Sequence, residues 1–179
     1  MSTTHVSRGR GRLLVAVLAG AVAALLAAFA VTAATADTGG TDRPFTGTLV
    51  GSAAVAPDTN CPIGLRTVSE GSGTGSHLGF VSMSSHHCTP VANAIAGQMT
   101  LVAANGDELH MTYSGTCSAP PFPPVGETIT CNTDNVIVGG TGRFADATGE
   151  AQMTALVTWT GFGAPLLPAT WTWEGTLSY

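Results

Sequence analysis

Residues 97–113 read GQMTLVAANGDELHMTY, and the fold turns on this stretch. Met99, Leu101 and Ala103 alternate with Gln98, Thr100 and Val102, the two-residue period of a strand with one buried face. Asn105-Gly106 follows, a pair that tolerates the positive φ of a tight hairpin turn. Leu109, Met111 and Tyr113 then resume the apolar face on a returning strand. Outward from this hairpin, similar runs occur at Phe45–Ala53, Leu65–Glu70, Leu78–Ser85, Glu127–Val138, Glu150–Thr160 and Thr170–Tyr179. The total is eight short strands joined by turns that carry glycine or proline. Only Arg143–Thr148 reads as a brief helical turn. Eight sequential antiparallel strands predict an all-β fold, an up-and-down barrel that closes on itself and leaves no unpaired edge. A two-sheet sandwich is the alternative. A barrel of this strand number has an interior that side chains fill or that holds one small ligand.

Composition supports this class and excludes others. The chain of 179 residues has six basic residues, all arginine, against eleven acids. Charged residues are only 9% of it, against about 25% in an average globular protein, which is too few for a disordered polyelectrolyte. A net charge of −5 argues against a nucleic-acid partner, which needs a basic face to neutralise phosphates. Twenty-three glycines and ten prolines interrupt the chain too often for a helix bundle.

The first 36 residues have a different character. Arg8, Arg10 and Arg12 precede an apolar run from Leu13 to Val31, and Ala34-Thr35-Ala36 supplies small residues before Asp37. This pattern predicts a secretory signal peptide over 1–36, cleaved before Asp37. A retained anchor is the rival reading, because nineteen apolar residues are just enough to cross a bilayer. No cysteine stands at the cleavage site to carry a lipid. Leu167-Pro168-Ala169-Thr170 resembles the start of a wall-sorting signal, but Trp171 replaces the glycine and no apolar tail follows. The expected product is secreted, with a short linker over 37–44, a barrel domain over 45–179, and no membrane attachment after cleavage. It keeps Arg43, Arg66 and Arg143 against all eleven acids. Its four cysteines, in an oxidising compartment, predict disulfides. Sequential pairing is preferred among the three arrangements: Cys61–Cys88 around a hairpin at Gly71–Gly75, and Cys117–Cys131 around the Pro120–Pro124 loop. Zinc would want C-x-x-C spacing, which is absent.

Three motifs carry a resemblance. Gly73–Gly79 reads GTGSHLG, Ala103–Leu109 reads AANGDEL, and Gly139–Gly149 reads GGTGRFADATG. In this order the chain resembles bacterial members of the allene oxide cyclase and dirigent barrel superfamily, over roughly Phe45–Tyr179. The G-T-G-x-F stretch is the most specific part. The resemblance implies an eight-stranded barrel with a central apolar cavity. It also implies cofactor-free chemistry in the plant relatives, which cyclise an unsaturated fatty-acid epoxide or steer the coupling of phenoxy radicals. The bacterial set largely lacks an assigned activity, and no catalytic residue carries over.

Residue by residue, the motifs also have plain structural readings. Gly140, Gly142 and Gly149 predict a bend between strands, with Phe144 plugging one barrel end. A dinucleotide cradle would need a long helix, which Gly149 cuts short. Arg143 is expected to form a forked pair with Asp107 or Asp146; anchoring an anionic ligand is its other reading. Asp107, with Asn105 and Gly106, is expected to cap backbone amides. Strand alternation puts His77 on one face with Gly79, Val81 and Met83. There it either lines the barrel wall as a proton-handling group or holds the barrel end through a neighbouring turn. His86 and His87 point to opposite faces and read as exposed loop residues beside a disulfide, with no metal site. Met111, Tyr113, Met153, Val157, Trp159, Trp171 and Trp173 complete an apolar, flat-walled lining. Three function classes remain open. One is a barrel binding a small hydrophobic ligand. Another is a cofactor-free cyclase or dirigent-type enzyme using an inward group such as His77 or Glu127. The third is a solid-packed surface protein. Homo-oligomers are compatible with each.

Overall fold

The structure is a computed structural model. It describes residues 40–179, apart from 63, 90–92, 119–122, 162 and 164, with the backbone alone for 93–96. The signal-peptide reading of 1–36 lies outside the described residues. Eight strands run in sequence: β1 Arg43–Pro57, β2 Leu65–Gly75, β3 Gly79–Cys88, β4 Asn93–Ala103, β5 Glu108–Cys117, β6 Thr128–Gly140, β7 Thr148–Thr158 and β8 Leu167–Ser178. Each is antiparallel to the next, and β8 returns to pair with β1, so the sheet is a closed barrel and not a sandwich. The expected helical turn is a short 3₁₀ segment at Gly142–Phe144.

Period-two alternation organises the whole wall. Among the described side chains of the barrel wall, odd-numbered strand residues point inward and even-numbered ones outward, so Leu49, Val81, Leu101, Met111, Met153 and Trp173 share one interior. Register sets the tilt. A path of paired residues leaves β1 at Pro44, crosses Thr176, Glu150, Val136, Thr112, Gln98, His86 and Val68, and returns to β1 at Ala54, ten residues further along. A stagger of this kind is what closure of a sheet demands, because the strands must incline to the barrel axis.

The two ends of the barrel differ. Short connections at 76–78, 104–107 and 141–147 close one end, the plug end. The strand ends at Pro57, Leu65, Cys88, Asn93, Cys117, Thr128, Thr158 and Leu167 mark the other, the loop end. Both disulfides sit at the loop end, pairing Cys61 with Cys88 and Cys117 with Cys131 in the sequential arrangement expected. Cys117 and Cys131 face each other directly across β5 and β6.

One expectation is corrected here. Gly71–Gly75 is not a hairpin turn but the second half of β2, and the turn lies at 76–78. Packing explains why these positions are glycine. The Trp173 indole lies against Gly47 and Gly75, and Trp171 against Gly71, so a Cβ at Gly47 would overlap the indole. Large rings inside a narrow barrel need an inward residue without a side chain opposite them.

Candidate functional site

Exposure of the interior rises along the barrel axis. At the plug end Phe45, Leu78, Leu109, Phe144 and Leu177 are fully buried. The Phe144 and Tyr179 rings meet edge to face, with centroids 5.0 Å apart. That half is filled by its own side chains. Toward the loop end the lining becomes polar: Thr67, Ser69, Ser85, Tyr113 and Thr133 are inward and buried, while His87, Cys131 and Val157 are half-buried. Thr67 and Thr89 hydroxyls meet at 2.5 Å on the rim. Trp171, Met83, Met99 and Met153 lie deeper, in the shared apolar core.

A hydrogen-bonded chain forms the centre of this end. His87 Nδ1 lies 2.9 Å from the Tyr113 hydroxyl, with the rings edge to face, and Ser85 hydrogen-bonds the same phenol. Geometry follows from the strands. Ser85 and His87 are two apart on β3 and share its inner face, and Tyr113 reaches them from β5 across β4. Gly97 on β4 makes this possible, because a Cβ there would overlap the Tyr113 ring. Burial pushes the His87 imidazole down to about 4, with repulsion from His86 as the lesser cause. Burial pushes the Tyr113 phenol up to about 12, opposed by the Ser85 hydrogen bond. All three groups are therefore neutral at physiological pH. No cluster of three metal-ligating side chains occurs among the described residues.

Eight of the ten expected cavity residues lie on inner strand faces: Val81, Met83, Met111, Tyr113, Met153, Val157, Trp171 and Trp173. The other two, Trp159 and His77, lie off the strands. Trp159 lies beyond the end of β7, where its backbone pairs with Gly126 and Glu127. Glu127, offered as an inward polar group, stands just before β6, in the connection from β5. His77 does not continue the β3 alternation. It stands in the 76–78 turn with φ of 65°, and Gly79 starts the strand after it. Its ring instead spans the plug end, with Nε2 3.1 Å from the Pro44 carbonyl and Nδ1 3.4 Å from the Tyr179 hydroxyl.

Arg143 pairs with Asp107, one of the two carboxylates expected, and ties the bend to the neighbouring 76–78 turn, but without the expected fork. It makes no fork with a carboxylate: Nε stands 3.7 Å from Asp107, and Nη2 donates instead to the His77 carbonyl at 2.5 Å. Its side chain is exposed and lies over the Phe144 ring. Asp107 does cap a backbone amide, that of Arg143, and is itself held by the Asn105 side chain. A Cβ at Gly142 would collide with the Asp107 carboxylate, which accounts for the glycine there.

Sequence reasoning missed Ser85 and His87. Extending the Val81/Met83 alternation by two more steps would have placed both inward. Adjacency to Cys88 hid this, because a histidine pair beside a cysteine reads as a loop. Compared with known proteins, the chain matches no family model, and no curated protein or solved structure matches it significantly.

Proposed function

We propose that this chain is an exported barrel that binds a small, largely apolar molecule at its loop end. The observation that carries the reading is the neutral Ser85–Tyr113–His87 chain set above an aromatic and methionine floor. Ligand sites pair a mostly apolar lining with a few placed polar groups, and they favour the mouths of β-barrels. Export rests on the arginine-flanked apolar leader, and two disulfides are compatible with an oxidising compartment. The test is native mass spectrometry of protein recovered from its own culture medium, with tryptophan fluorescence during back-titration of an organic extract. A mass increment that organic solvent removes, together with a restored fluorescence change, is the expected result. A chain that keeps its bare mass and an unchanged spectrum overturns the reading in favour of a solid-packed surface protein. The same spectra report the N-terminus, expected at Asp37.

A cofactor-free cyclase or dirigent-type enzyme is the second reading. What favours it is the same hydrogen-bonded chain, which can hold one reactive conformation of an apolar guest. Incubation of the recovered ligand with fresh protein would then give an isomer of equal mass and different chromatographic retention.

A further inference from the structure

Resting on the reading that the loop end binds a small apolar molecule, we propose that it selects an uncharged guest carrying a hydrogen-bond acceptor, such as a ketone, ester or ether, anchored by the Nε2–H of His87. Two independent features point there. The first is the distribution of charge. Arg66, Glu70, Glu108, Asp134, Glu150 and Glu174 all occupy even-numbered strand positions and face outward. Arg43 is the one charged strand residue at an odd position, and it lies at the opposite end over the Tyr179 ring. A carboxylate or ammonium drawn between the strands would give up its hydration and meet no counter-charge on their described inner faces; Asp58 and Glu127 belong to the connections, and Asp58 is paired with Arg66. Burial of an unpaired ion is disfavoured far more strongly than burial of a neutral polar group.

The second feature is the direction of the hydrogen-bond chain. His87 Nδ1 and the Tyr113 hydroxyl lie 2.9 Å apart, and of these two neutral groups the phenol O–H is the stronger donor and the imine nitrogen of imidazole the stronger acceptor. On that ground we assign the phenol as donor to His87 Nδ1. A neutral imidazole that accepts at Nδ1 carries its proton at Nε2, and Nε2 has no partner among the described residues. The mouth therefore presents a donor, matched to an acceptor on the guest.

Three probes of equal chain length separate the possibilities: 2-decanone, decanoate and decylammonium, titrated at pH 7.5 with tryptophan fluorescence as the readout. The ketone is expected to bind at least about tenfold more tightly than either ion. His87→Phe is expected to weaken ketone binding about three- to tenfold, the worth of one hydrogen bond. Tyr113→Phe, which keeps the ring and frees His87 Nδ1, serves should the first variant fail to fold; it is expected to weaken the ketone as well. Decanoate binding as tightly as the ketone overturns the inference and leaves the binding reading intact. Ketone affinity unchanged in the folded variant removes His87 as the anchor. If none of the three probes binds, the binding reading itself fails.

Discussion

His87 shows how one side chain ties packing to solution behaviour. Its imidazole titrates near 4 in the fold and near 6.5 when unfolded. Between these values the unfolded chain binds more protons, so stability declines as pH falls from about 6.5 to about 4 and levels off below. The full effect is about 3 kcal/mol. Asp58, held low first by the Asn60 amide and then by Arg66, adds its loss below this window. Thermal melts from pH 7.5 to 4 are expected to show the decline in the wild type and a flatter profile in His87→Phe. Gly47 offers a second test. Adding one methyl at Gly47→Ala drives into the Trp173 indole, and overpacking of this kind costs about 1–3 kcal/mol. Trp173→Leu should recover part of that loss in the double variant, a non-additivity expected of residues in contact. Chemical denaturation of the three variants measures it.

Among the elements, the β6–β7 bend separates two kinds of contribution. Phe144 is fully buried against Tyr179, whereas Arg143 is exposed with one loose ionic contact. Phe144→Ala is expected to cost about 3–5 kcal/mol, and Arg143→Ala about 1 kcal/mol or less; the midpoints of urea unfolding report both. The disulfides allow a similar comparison. Cys61–Cys88 spans 27 residues and Cys117–Cys131 spans 14. Chain-entropy arguments give about 3.5 kcal/mol for the longer loop and about 3 kcal/mol for the shorter. Paired Cys→Ala substitution is thus expected to lower the melting temperature in both cases, slightly more at Cys61–Cys88.

Elements were also the scale most legible from sequence. Period-two alternation and turn residues marked all eight strands, and cysteine spacing marked the pairing. Glycine was ambiguous because it serves two purposes here: Gly106 turns the chain, while Gly71 and Gly75 make room for indoles from β8, a strand nearly a hundred residues away in sequence. No local pattern carries that distant partner. His77 misled for a related reason. A non-glycine residue at positive φ is uncommon, so the alternation runs unbroken in sequence through the turn that His77 occupies. The plug was legible from Phe144, but the polar loop end was not, because on β3 Ser85 and His87 follow an apolar inner run of Val81 and Met83.

For the whole molecule, closure is the governing fact. Seven of the eight strand pairings join sequence neighbours, and only β1–β8 is remote. An up-and-down order lets hairpins form locally before that last seam shuts, and a shut seam leaves no edge for another chain to extend. The seam also joins the two ends of the described chain: Arg43 stands opposite Leu177, and the Ser178 hydroxyl donates to the Gly40 carbonyl at 2.9 Å. Tension applied through these two ends would load the β1–β8 hydrogen bonds one rung at a time, as in opening a zipper, because both handles leave from the same end of an antiparallel pair. The barrel should therefore yield at low force when stretched by its termini in an optical trap. Gripped at the plug end of β1 and the loop end of β8, it should resist until the rungs shear together.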